Sequence, residues 1–406
     1  MNNFERSINE DYERQLPYFF YLASTMCVGI RTYKRIKGTF NSPKDFFNSS
    51  DELLKKSGLF TSLQLERFSQ SKRLINPMSG LEKMEKNNIF MVSIDEAGYP
   101  SRLKEIKDPP PFLFVKGKLP PVNFPLAGVV GARECTAYGA NVAKRLGEVM
   151  AENNISVISG MARGIDSIAQ TSAVDSGGYS CALLGGGVDI VYPAQSKALY
   201  EKLCERGGII SEFPPGTAPL KQYFAMRNRL ISGLSDVVCV VEAKEKSGTL
   251  ITVDCALDQG REVYAVPGRI SDRTSRGTNE LIKQGAGVIY DVEAFADEFI
   301  SNYELSTGRP VKKENCILEK ERTYSLSETE KAIICALDDN SFTVDGASNM
   351  TGYSASEIIV ACMSLCTKKL MSNVGAGRFR TLPDAANLKA SLKKEADEDE
   401  EEEWDE

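Results

Sequence analysis

Seven short apolar runs, recurring every 24–30 residues with amphipathic helical stretches between them, constrain this chain more than anything else in it. They lie at Leu126–Val130, Ser156–Ser159, Ser180–Leu184, Gly208–Ser211, Val237–Val241, Glu262–Val266 and Gly287–Tyr290. That period is one β-strand plus one crossover helix, the unit of a parallel sheet with helices on both faces. Runs such as CALLG and DVVCVV lack polar alternation, as strands covered on both faces should. The fold class expected is α/β, a Rossmann-like, doubly wound, mainly parallel sheet.

Two smaller domains flank that core. Residues 1–88 carry the pattern of a small helical domain, SAM-like or helix-hairpin-helix-like, with helices expected at about 15–26, 30–37, 43–47, 51–57 and 62–72. The stretch VGIRTYKRIKGTF, punctuated by Gly29 and Gly38, fits a turn that presents backbone N–H groups to phosphate, or a packing module with no ligand. Residues 89–124 form a connector with short strands expected at Phe90–Ser93 and Phe112–Lys116, bounded by proline turns. The Rossmann-like core spans 125–292 and a charged linker 293–323. Residues 324–384 have a winged-helix pattern: the capped helix of SLSETEKAIICAL, a helix-turn-helix, then NVGAGRFRTL as the wing. Residues 385–406 are an acidic tail expected to be disordered.

Composition narrows the chemistry. The chain has no histidine, which excludes Ser-His-Asp and Cys-His nucleophile systems, an imidazole base and histidine-ligated zinc. That shifts the expectation from enzyme towards binding protein. Ten cysteines include no C-x-x-C pair and read as reduced thiols. The N-terminal stretch is polar, and no run approaches the roughly 18 apolar residues of a membrane span, so a soluble, cytoplasmic protein without a membrane partner is expected. No P-loop is present, and the first βα turn, GARECTAYG, puts an arginine where a dinucleotide fingerprint needs glycine; no cofactor is expected. The net charge is −7, but ten acids crowd into residues 395–406. Residues 125–290 hold 17 basic and 17 acidic side chains, so a nucleic-acid site there must be a local patch.

In an open parallel sheet, ligands bind outside the carboxyl ends of the strands. The turns expected there are rich in glycine and serine: Gly131-Ala132-Arg133, the Ser159–Asp166 loop, Gly185-Gly186-Gly187, and Glu242–Leu250 around Ser247, Gly248 and Thr249. At helix N-termini such turns favour anions. Arg133, Arg163, Lys221, Arg227 and Arg229 belong to the same loops, with Tyr223 and Phe224 among the basic residues as stacking platforms for a base. A phosphate-rich ligand is the reading this supports. The alternative is structural: Arg227 and Arg229 as ion-pair partners of Glu212 or Glu242, and Phe224 as core.

The runs VVGARECTAYG, SGMARGID, LGGGVDIVYP, SEFPPGTAPLKQYFAMRNRLISGLSD, EAKEKSGTLITVDCALDQGREVYAVPG and GTNELIKQGA together resemble the DNA-processing protein A family (DprA, also called Smf). The resemblance runs in order over residues 10–382. It implies a non-enzymatic dimer that binds single-stranded DNA on a Rossmann-like core. It also implies loading of RecA recombinase during natural transformation, with single-strand-binding protein as a further candidate partner. Carried over, the DNA site comprises Arg133, Ser159, Gly160, Met161, Arg163, Gly164, Lys221, Phe224, Arg227, Asn228 and Arg229, with Ser247, Gly248 and Thr249 nearby. Leu281, Ile282 and Val288 fall on the dimer or recombinase surface. Gln170 stands where the family usually has histidine, Ala225 where it usually has proline, and the acidic tail is an addition. The winged-helix unit, with five basic and six acidic residues in 324–382, is expected to pack against protein rather than read DNA. Competing readings are a phosphoribohydrolase-like enzyme, for which Gly248-Thr249 lacks the following glutamate, and a winged-helix regulator.

Overall fold

A computed structural model describes residues 10–311, 326–336, 342–368, 370–375 and 378–381; the acidic tail lies outside them. The chain divides into two compact units, 1–318 and 319–406.

Six helices open the first unit: α1 (Glu10–Ser24), α2 (Ile30–Thr39), α3 (Pro43–Asn48), α4 (Asp51–Lys56), α5 (Ser62–Leu74) and α6 (Pro77–Lys86). Five match the expected pieces. The sixth was not anticipated, although its start is encoded locally: Asn76 Oδ1 accepts from the Met78 and Ser79 amides, and Pro77 occupies the first turn. There follow β1 (Ile89–Ser93), α7 (Ser101–Lys104), β2 (Phe112–Gly117), β3 (Leu126–Val130), α8 (Ala137–Glu152), β4 (Ser156–Ser159) and α9 (Ile165–Asp175). The remainder is β5 (Ser180–Leu183), α10 (Lys197–Arg206), β6 (Gly208–Ser211), α11 (Lys221–Leu234), β7 (Val237–Val240), α12 (Gly248–Asp258), β8 (Glu262–Ala265), α13 (Arg276–Lys283), β9 (Gly287–Val288) and α14 (Val292–Thr307).

One nine-stranded sheet runs β1-β2-β6-β5-β4-β3-β7-β8-β9. All neighbours from β6 to β9 are parallel, so the Rossmann-like architecture is present. The two strands expected in the connector form its antiparallel margin. Aromatic contacts fasten the helical module there, Phe19 to Phe112 and Phe20 to Phe114.

Successive residues of the central strands feed opposite layers, which explains their unbroken apolarity. Ala127, Val129, Val157 and Cys239 pack beneath α8, α9 and α14, whereas Leu126, Val130, Ile158 and Val238 face the layer holding α11 and α12. On the first face, Gly147 lets α8 lie directly on α9, because a Cβ there would run into the Ala169 carbonyl oxygen. Among the described residues, no helix is long and apolar enough to cross a membrane.

The second unit contains α15 (Glu328–Ala336), β10 (Phe342–Thr343), α16 (Val344–Thr351), α17 (Ala355–Thr367), β11 (Met371–Gly375) and β12 (Arg378–Thr381). Its strands form a separate antiparallel sheet, β10-β12-β11. The expected serine cap closes α15: the Glu330 amide donates to Ser327 Oγ, and the Ser327 amide to Glu330 Oε2. Burial alone would raise the Glu330 carboxyl, but hydrogen bonds from Lys368 and Ser327 hold it below its ordinary value. Lys368 Nζ lies 2.7 Å away.

A carboxylate depressed in the folded state stabilises above its unfolded pKa, and that stability is lost as pH falls through the folded value. Glu330→Gln should therefore cost about 1.5 kcal/mol at neutral pH. In thermal melts of the full chain, the difference from wild type should shrink steadily below about pH 4.5.

Candidate nucleic-acid interface

The order of strands reverses at β3, which pairs with β4 on one side and β7 on the other. The crevice outside their carboxyl ends is the switch point where such folds bind ligands.

Helices α8, α9, α11 and α12 begin on this rim. Thr136 caps α8 by accepting from the Gly139 amide. Its own amide and hydroxyl donate to Glu242 at the end of β7, at 2.9 and 2.6 Å. Thr274 Oγ1 donates to the same carboxylate from the loop after β8. Glu242 is 2% exposed, so this carboxylate is a brace between three loops.

The loop after β4 is folded onto its own chain. Gly164 has φ +78°, a backbone that suits glycine, and a Cβ there would run into the Ala132 carbonyl oxygen. The Gly160 amide donates to Asp166 and the Met161 amide to Gln170. Ser159 Oγ donates to the Val129 carbonyl. Ser159, Gly160 and Met161 are buried, and from this loop Arg163 is the charged side chain in solvent. Gln170, wholly buried, also donates to the Cys181 carbonyl and to Ser180. An amide that accepts on one side and donates on the other does this work without a charge.

Arg227 departs from the expected phosphate contact. It is 4% exposed, and its Nη1 donates to the carbonyls of Gly160, at 2.9 Å, and Leu183. Burial pulls its guanidinium down to about 10, against the opposing charge of Asp166, so it stays cationic at neutral pH. It pins α11 to the ends of β4 and β5. Arg229 takes the structural role held open for it. Its Nη2 sits 2.7 Å from Glu212, whose carboxyl is raised by burial against the pull of that arginine. Asn228 Nδ2 reaches the Gly248 carbonyl at 3.4 Å, and Thr249 Oγ1 donates to the Gly131 carbonyl at 3.2 Å, joining α11, α12 and the β3 turn. Ser247 precedes α12 without capping it by a side-chain hydrogen bond, and Gly248 is exposed.

The surface that remains open is cationic and aromatic. The exposed Arg133 guanidinium stands 5.9 Å from the ring centre of half-buried Phe224. Tyr192, 49% exposed, lies on that ring with 5.4 Å between centroids. Phe224 touches the glycine loop after β5, where a Cβ on Gly185 would meet its ring at 3.0 Å. That loop opens no helix, contrary to expectation; α10 begins only at Lys197. Lys221 is exposed at the first position of α11.

Two features of this rim lie outside the residues expected from the sequence: Tyr192, and three exposed arginines after β8, with Arg269 and Arg273 in the loop and Arg276 at the start of α13. Their signals were an aromatic beside a proline, and three arginines in eight residues beyond a strand end. Of the expected partner surface, Leu281 is 8% exposed and belongs to the core, Ile282 is half-buried, and Val288 on the edge strand is 39% exposed.

Fold and rim define a Rossmann-like α/β protein whose open strand ends combine arginine and lysine with aromatic rings, while its nearby carboxylates are tied into structure. Residues 90–300 match the family described as DNA recombination-mediator protein A, and the chain belongs to that family. It is 34% identical over 335 residues to the protein Smf of Escherichia coli (strain K12), covering 81% of this chain and 86% of that one. It is 41% identical over 207 residues to the DNA processing protein DprA of Streptococcus pneumoniae, covering 51% of this chain and 73% of that one. The X-ray structure of DprA from Streptococcus pneumoniae superposes with a TM-score of 0.57 at 30% identity, covering 74% of this chain and 99% of that one.

Proposed function

We propose that this protein holds single-stranded DNA along the carboxyl rim of its sheet, as a cytoplasmic dimer, and loads a RecA-type recombinase onto it without catalysing a reaction. The observation that carries this reading is the Arg133–Phe224–Tyr192 assembly beside Lys221. Rings with cations over them fit splayed bases and their phosphates, a sequence-tolerant mode that a base-paired duplex does not satisfy. Glu212 and Glu242, the carboxylates available for acid–base chemistry, are held by Arg229 and by two threonines. That supports binding over turnover.

In this reading Arg133, Arg163 and Lys221 contact phosphate, while Arg227, Asn228 and Arg229 set the geometry. Two such rims joined in a dimer raise avidity on one strand. Ile282 and Val288 supply the dimer surface, with Leu281 as support beneath. The second unit, in the winged-helix reading, meets protein through the exposed Ile359, Val360 and Met363 of α17.

Fluorescence anisotropy with oligo-dT and its duplex counterpart, titrated with salt, tests the reading. Arg133→Ala with Lys221→Ala should weaken single-strand binding about tenfold at physiological salt and reduce the salt slope by about 1.4, two contacts at roughly 0.7 each. An unchanged slope, or equal affinity of wild type for duplex, refutes the site.

A further inference from the structure

Beyond the crevice around Phe224, the loop after β8 has the makings of a second binding element. It is held firmly at its feet. Asn279 clamps Gly268 in both directions, accepting from its amide at 3.2 Å and donating to its carbonyl at 3.0 Å. Tyr138 Oη donates to the Pro267 carbonyl at 2.9 Å, and the Ala243 amide to the Thr274 carbonyl at 2.8 Å. Between these anchors the loop presents side chains that the fold does not use. Arg269 and Arg273 are exposed and form no ion pair with any described residue. Ile270, between them, is 90% exposed. The loop's own acid, Asp272, accepts from Ser271 Oγ at 3.0 Å. Arg276, at the start of α13, faces Glu245 at 3.7 Å with both side chains in solvent.

The loop leaves the sheet at the same edge as the crevice. From β5, where Phe224 lies, to β8 is four strand spacings, about 19 Å. A strand whose bases are splayed runs longer per nucleotide than the roughly 3.4 Å of a stacked duplex strand, so the gap takes fewer than about six nucleotides. We propose that this loop continues the nucleic-acid track across the switch point, taking phosphates on Arg269 and Arg273 and the face of a base against Ile270. The proposal rests on the reading of the rim as a single-strand site and adds to it a direction and a length. An isoleucine this exposed between two unpaired arginines suits a ligand that is apolar on its bases and anionic along its backbone.

The test uses the full chain and two probes, an oligo-dT of about two nucleotides, too short to leave the crevice, and one of about twenty. Arg269→Ala with Arg273→Ala should bind the short probe as wild type does. It should bind the long probe about tenfold more weakly, with a salt slope smaller by about 1.4. Ile270→Ser should lower long-probe affinity several-fold with no change in slope. Full long-probe affinity in the double variant overturns the proposal while leaving the crevice intact; a loss of recombinase recruitment in its place reassigns the loop to a protein partner. Equal losses on both probes also overturn it, since the loop would then act through the shape of the crevice. Wild type failing to bind either probe overturns the rim reading and this proposal together.

Discussion

Arg227→Ala should destabilise the first unit by about 3–5 kcal/mol, the largest effect expected of any single substitution in this protein. The guanidinium is 4% exposed, donates to the Gly160 and Leu183 carbonyls, and lies beside the buried Asp166. Its removal leaves two carbonyl oxygens and a carboxyl in a dry pocket without the cation that matches them. Arg227→Lys should recover little, because a lysine ammonium ends about one bond short of Nη1, the nitrogen that serves both carbonyls. Denaturant unfolding followed by hydrogen exchange at β4 and β5 amides measures the loss. A phosphate-contacting arginine would behave oppositely: the variant would stay as stable as wild type and lose DNA affinity and salt slope instead.

Phe224→Ala should lower single-strand affinity by about 1–3 kcal/mol, roughly five- to 150-fold, with the salt slope unchanged. The ring is placed by Tyr192 on one side, by the glycine loop after β5 and by the Arg133 guanidinium. It is half-buried, so truncation also removes packing, and a thermal melt must accompany the titration. Phe224→Trp separates the two roles, since it keeps a larger stacking face. Its affinity should equal or exceed that of wild type. An affinity loss in Phe224→Ala that tracked the melting temperature alone, with Phe224→Trp no better than alanine, would make the ring a packing residue.

The sheet was legible in the chain because its signal is redundant: seven apolar runs repeat one period, and an error in any one run leaves the others standing. The crevice was legible only as a set of loops. Charge is written in a sequence, but burial is not, and Arg227 shows the cost. Its position was nonetheless open to a closer reading. With Leu230, Ile231 and Leu234 it falls at i, i+3, i+4 and i+7, the buried face of α11. A cation on that stripe belongs to the interior. The glycines after β5 misled for a related reason, since Gly185 is needed for close packing against Phe224 rather than for opening a helix. Tyr192 and the arginines after β8 went unassigned because their neighbourhood is created by the sheet order, which brings β8 beside β7 and the β5 loop beside α11.

The carboxylate of Glu242, two residues beyond β7, holds the turn after β3 and the loop after β8 through Thr136 and Thr274. Three loops are thereby fastened at one point. A surface so fixed loses little freedom when it is occupied, so the ordering penalty of association falls on the DNA. The nucleic acid is the partner that adapts, bending its backbone to a template that does not bend. Differences in affinity between strands should then follow their stiffness: pliant pyrimidine tracts should seat readily, and stacked purine tracts should resist in proportion to the stacking they must give up.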